Sequence, residues 1–99
     1  MKYIRVEWKH ADPNTPIVLY SELDDGRMEV RKTEIFNDGI IGYASADSRK
    51  GDTMLGLVPV PELVIISKDS QFAPIEITQG EFEAMWSRRD SRGELRGDQ

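Results

Sequence analysis

His10 is the only histidine in the chain, and there is no cysteine. An imidazole at a strand end can act as a general base, and Asp12, two residues on, is the residue type that orients one. Ser21 or Ser45 would then be the nucleophile. The simpler reading is a strand-end histidine bonded to a turn carboxylate, and the sequence favours it. There is no Gly-x-Ser-x-Gly elbow, and one histidine without cysteines does not make a zinc site. Glu22, Asp24 and Asp25 gather carboxylates around a turn, where a divalent cation would need several converging oxygens. The spacing of a calcium loop is absent, and Asp25-Gly26 already accounts for the aspartates as turn formers. Gly39-Ile40-Ile41-Gly42 is not a phosphate loop, and Arg96-Gly97-Asp98 is a tripeptide that chance supplies readily. The expectation is no catalytic residue, no metal and no cofactor.

Recognition chemistry is better represented. Trp8, Tyr3, Tyr20 and Tyr43 fall on or beside alternating segments, where aromatics either fill a small core or anchor an interface. Trp8 reads as core, while the tyrosines are open to either role. Together with the turn acids, these residues give Trp8, His10, Asp12, Tyr20, Glu22, Asp24, Arg31 and Tyr43 as the binding candidates.

The elements that must hold them follow from periodicity. Lys2 to His10 alternates, with Ile4, Val6 and Trp8 on one face and Arg5, Glu7 and Lys9 on the other, as a half-buried strand does. A turn cluster from Ala11 to Pro16 leads to a second strand, Ile17 to Leu23. Asp25-Gly26 is a hairpin signal in which glycine is expected to take a positive φ. A third strand runs from Arg27 to Phe36. Met28 and Val30 share one parity and Ile35 has the other, so this strand is apolar on both faces or carries a bulge near Arg31-Lys32. Asn37-Asp38-Gly39 repeats the hairpin signal before a fourth strand, Ile40 to Ser45. Gly42 inside it marks a bulge or a close approach. Residues 46–52 form a polar loop, and Thr53 to Val58 is expected as a fifth strand. Pro61-Glu62 favours a short helix over 62–69 with Leu63 and Ile66 inward, although Leu63-Val64-Ile65-Ile66 would also serve as a buried strand. Thr78-Gln79-Gly80-Glu81 is a capping box, and Phe82, Met85 and Trp86 behind it share a helical stripe. The last ten residues hold one isolated leucine and are expected to be a disordered tail, leaving residues 1–89 as a single domain.

Charge and composition bound the partners. The 99 residues carry 13 basic and 18 acidic side chains, a net −5. Residues 1–87 hold nine basic and fifteen acidic ones, so the body stands at −6. Such a body repels phosphate backbones, which disfavours nucleic acid and favours a basic protein. Charges at Lys2, Arg5, Glu7 and Lys9 interrupt any signal-peptide run. No uncharged stretch is longer than Thr53 to Pro61, which is nine residues, far short of the roughly 20 a membrane helix needs. With no cysteine, the expectation is a soluble cytoplasmic protein.

Met1 to His10, Leu19 to Asp24, Arg27 to Arg31, Phe36-Asn37-Asp38-Gly39, Gly42-Tyr43-Ala44, Ile75 to Thr78 and Glu81-Phe82 together resemble a family of short uncharacterised bacterial proteins. That family is a DUF6881-like domain of unknown function. The resemblance spans about residues 1–88 and implies an intracellular bacterial protein, with no activity or cofactor attached.

These readings converge on an α+β protein, an antiparallel meander sheet of about five strands with one or two helices and the C-terminal helix packed on the sheet. The expected function is a non-enzymatic protein-binding module with an acidic, aromatic sheet face, for example a small acidic partner of a toxin, in the manner of an immunity protein or antitoxin. The alternatives are a small enzyme or ligand-binding domain with a pocket around His10, and a homodimer closed through the open sheet face.

Overall fold

A computed structural model describes residues 1–89; the expected tail lies outside the described residues. The elements are β1 (Lys2–Trp8), β2 (Val18–Leu23), β3 (Glu29–Ile35), β4 (Ile41–Ala44), β5 (Arg49–Lys50), α1 (Leu63–Ile66), β6 (Phe72–Ile77) and α2 (Gln79–Ser87). The strands form one sheet in the order β5-β4-β3-β2-β1-β6, antiparallel throughout. The meander is the expected one, with β6 added beside β1. The architecture is α+β, and the C-terminal helix packs on the sheet as expected.

Period two sorts side chains between two faces. Tyr3, Tyr20, Glu22, Arg31, Thr33 and Tyr43 share the face under α2. Tyr3, Ile77 and Phe82 form the core there, with Tyr20 and Trp86 against it. Ile4, Val6 and Leu23 lie on the opposite face, against Val60, Leu63, Ile66 and Phe72. α2 starts at the capping box: Thr78 accepts from the Glu81 backbone N–H, and Glu81 Oε1 accepts from the Thr78 backbone N–H.

The parity conflict in β3 resolves as a bulge. Glu22 pairs with Arg31 but Leu23 pairs with Glu29, which leaves Val30 extra. One inserted residue reverses facing beyond it, so Glu29 and Lys32 share the α1 face although their numbers differ in parity.

Four expectations need correction. Thr53 to Val58 is not a strand, because the outer edge of β4 is already taken by Arg49–Lys50 within the supposed polar loop. The 62–69 helix spans only Leu63–Ile66, with Leu63 and Ile66 inward. β6, unassigned from sequence, forms the edge beside β1 with Pro74 in it, where a missing N–H is tolerated. In the first hairpin it is Arg27, at φ 65°, that enters the left-handed region, not Gly26. The Arg27 side chain offsets that strain by donating to the carbonyls of Val60 and Pro61, both at 2.7 Å.

Candidate functional site

The irregular segment after β5 is not loose. Thr53 Oγ1 donates to Glu34 at 2.9 Å, the Gly56 N–H donates to Glu29 at 2.6 Å, and the Val60 N–H donates to the Arg27 carbonyl at 2.8 Å. Three ties at intervals of three or four residues therefore fasten this strap to β3 and the hairpin before it. Gly42 allows the closest approach, since a β-carbon there would collide with Thr53 Oγ1.

The carboxylates that hold the strap belong to a nearly buried cluster. Lys32 Nζ lies 3.1 Å from Glu29 and 3.7 Å from Glu34, and Ser21 Oγ donates to Glu29 at 3.2 Å. Two carboxylates share one ammonium.

Between the strap, α1 and the sheet lies an open cleft of about 400 Å³. Ile4, Val6, Trp8 and Leu19 make its floor and Val60, Ile66 and Phe72 its wall, with Ser21 and Glu29 at one end and Asp69 at the rim. The Trp8 ring lies tilted by 35° against that of Phe72, 5.3 Å between centres, and its indole donates to Gln71, so it is half-buried and lines the cleft. Beside the cleft, the strap and α1 turn large apolar side chains outward: Leu57 is 88% exposed, Val58 70% and Val64 66%, with Met54 and Ile65 also exposed.

The other candidates go elsewhere. His10 Nε2 donates to the Pro16 carbonyl at 2.8 Å and Nδ1 accepts from the Asp12 backbone N–H at 3.0 Å. Both ring nitrogens are thus occupied by the β1–β2 turn. The Asp12 carboxylate does not orient the ring; it accepts from the Asn14 N–H and the Thr15 hydroxyl, which hold it below the usual aspartate range. His10 lies outside the cleft, with its ring edge-on to Trp8 at 5.0 Å. Asp24 accepts from the N–H groups of Gly26 and Met28, the turn role its type suggests.

Glu22, Arg31, Tyr20 and Tyr43 sit on the face that α2 covers. Glu22 is a buried strand residue, not a turn acid. Arg31 reaches it from Nε at 2.6 Å and from Nη2 at 3.0 Å, and reaches Glu83 of α2 at 3.2 and 2.6 Å. The guanidinium also lies 4.9 Å from the Phe82 ring centre and 5.1 Å from that of Trp86. Tyr3 donates to Glu22 at 3.0 Å. The Arg31 hydrogen bonds, first among the causes, hold the Glu22 carboxyl below the usual glutamate range, and both carboxylates hold Arg31 more firmly charged than usual. This constellation pins the helix to the sheet, so the acidic aromatic face is internal. Among the described residues no cluster of three or more metal-ligating side chains occurs, and no helix is long and apolar enough to cross a membrane.

The chain is thus an α+β sheet with a pinned helix on one face and a strapped apolar cleft on the other. A family model described as a domain of unknown function, DUF6881, matches residues 2–91, and the chain belongs to that family. Neither the curated proteins nor the solved structures compared with it gave a match.

Proposed function

We propose that the protein is a non-enzymatic protein-binding module whose contact surface is the strap from Met54 to Ile65 and the cleft behind it. The observation that carries this reading is the run of exposed large apolar side chains, Met54, Leu57, Val58, Val64 and Ile65, on a segment tied to the sheet at Thr53, Gly56 and Val60. Apolar groups held outward by a fixed backbone lose little ordering entropy on association, and contiguous patches of this kind mark interaction sites. Residues 52–69 carry Asp52, Glu62 and Asp69 against Lys68, so the rim is acidic and suits a basic partner. A small acidic protein that neutralises a basic one, as an immunity protein or antitoxin does, is the version this charge favours.

The test compares tagged wild type with Leu57→Asp/Val58→Asp in capture from lysate of the source cell. Both side chains are solvated, so the double variant is expected to keep its stability within about 0.5 kcal/mol. It is expected to lose the captured protein. Equal capture by both proteins, or no capture under several growth conditions, sinks the reading.

A further inference from the structure

A second cleft, of about 470 Å³, lies on the α2 side of the sheet, away from the strap. Ile75, Ile77 and Met85 line it, and Ile75 is half exposed. Arg5, Tyr20, Glu81 and Arg88 bring polar groups to the same concavity. Among the described residues Arg5 and Arg88 make no ion pair with a carboxylate; Lys9, Arg49, Lys68 and Arg89 share that state, but Arg5 and Arg88 are the two that line one cleft together. Arg5 is half-buried and held in place: its Nε donates to the Tyr20 hydroxyl at 3.2 Å, and its guanidinium carbon lies 5.8 Å from the Tyr20 ring centre. That contact uses Nε and leaves the two Nη groups of the fork for another acceptor.

We propose that this cleft binds a carboxylate carried on an apolar body, with Arg5 and Arg88 taking the carboxylate and Ile75, Ile77 and Met85 packing the body. A planar guanidinium matches a carboxylate with two parallel charge-assisted bonds, and an aromatic hydroxyl that fixes the fork lowers the ordering cost. The negative body does not prevent this, because physiological salt screens charges beyond about 8 Å while the arginines would act at contact. Glu81 is the opposing group. Its Oε1 is committed to the Thr78 cap, but its charge faces the cleft and weakens an anion there. The cleft lies across the sheet from the strap, so the inference stands apart from the protein-binding reading.

The experiment titrates the full ¹⁵N-labelled chain with octanoate, with octanol, and with a short leucine peptide bearing either a free or an amidated C-terminus. Saturable amide shifts at Ile75, Ile77, Ala84 and Met85 are expected with the two acids and not with the alcohol or the amide. The tighter acid tells a free carboxylic acid from a peptide C-terminus as the source. Arg5→Gln and Arg88→Gln are each expected to weaken binding about tenfold or more. Glu81→Gln keeps the acceptor that caps α2 and removes the charge, so it is expected to tighten binding several-fold. Arg88 is solvent-facing, so its variant decides the matter should Arg5→Gln disturb the fold. Absence of saturable shifts up to about 10 mM acid, octanol matching octanoate, or affinity unmoved by the Arg88 and Glu81 changes would overturn the proposal.

Discussion

Replacing Arg31 by methionine tests the pin between α2 and the sheet. Methionine keeps an apolar stem between Phe82 and Trp86 and removes the fork. Glu22, with its side chain 8% exposed, is left with the Tyr3 hydroxyl as its side-chain donor. Breaking a fully buried pair costs about 3–5 kcal/mol; here Arg31 is 21% and Glu83 43% exposed, so solvent screening lowers the figure to about 2–4 kcal/mol. For a domain of this size that lowers Tm by about 10–25 °C. Adding Glu22→Gln removes the stranded charge, and the double variant is expected to recover about half of the loss.

The same residues set a pH signature. Glu22 is depressed in the folded state, chiefly by Arg31, with burial opposing and Tyr3 assisting. A depressed carboxylate contributes stability that is complete above its unfolded value, about 4.3, and is lost as pH falls through the folded value. Arg31→Met abolishes the depression. The gap between the two proteins should therefore be full at pH 7 and close below about pH 4. Urea unfolding followed by tryptophan fluorescence reads it, because Trp86 rides on α2 beside Arg31. A loss under about 0.5 kcal/mol at pH 7, or a gap that stays constant as the pH is lowered, would refute the reasoning.

The other expectations concern packing and capping. Gly42→Ala drives a methyl into Thr53 and should cost about 1–3 kcal/mol, with much of it recovered in Gly42→Ala/Thr53→Ala; additive losses in urea melts would contradict the contact. Thr33 is fully buried under α2 and its hydroxyl has no hydrogen-bond partner among the described residues, so Thr33→Val should raise stability by about 1 kcal/mol in the same assay. Thr78→Ala removes the cap of α2 and should cost about 1 kcal/mol, with hydrogen exchange quickening first at the amides of Glu81 and Phe82.

The strands carried by alternation or by a hairpin signal were legible, and so was the capped helix. Ile4, Val6 and Trp8 do share a face, Gly42 does mark a close approach, and the parity conflict in the third strand is a bulge at Val30. What escaped depended on partners distant in sequence. β6 is held by pairing with β1, about 70 positions away, and its Pro74 argues against a strand unless the edge position is known. Thr53 to Val58 has strand-like composition, but β5 already occupies the free side of β4 that it would follow onto. The charge clusters were hidden for the same reason. Arg31 meets Glu83 from 52 positions away, and Glu29 meets Lys32 only because the bulge turns both to one face. A sequence shows Glu22 beside Asp24 and Asp25 and invites grouping them; the strand places it on the covered face, three residues before the turn.

That placement changes where recognition has to be sought. Seven of the eight candidates from sequence are committed internally: His10 and Asp12 to one turn, Asp24 to another, and Tyr20, Glu22, Arg31 and Tyr43 to the face beneath α2. Trp8 lines the cleft behind the strap, and of the other seven Tyr20 also borders the second cleft, beside Arg5. A helix fixed by a buried ion pair and aromatic stacking leaves that face little freedom to rearrange, because opening it would strand Glu22 in apolar surroundings. The strap needs no such opening: hydrogen bonds to Glu34, Glu29 and Arg27 hold its backbone, and Leu57 and Val58 already stand in water. Substitutions at Glu22 and Arg31 should thus change stability and leave affinity for the protein partner alone, while substitutions at Leu57 and Val58 should do the reverse. One substitution that moved both together would show that the two faces are coupled through the sheet.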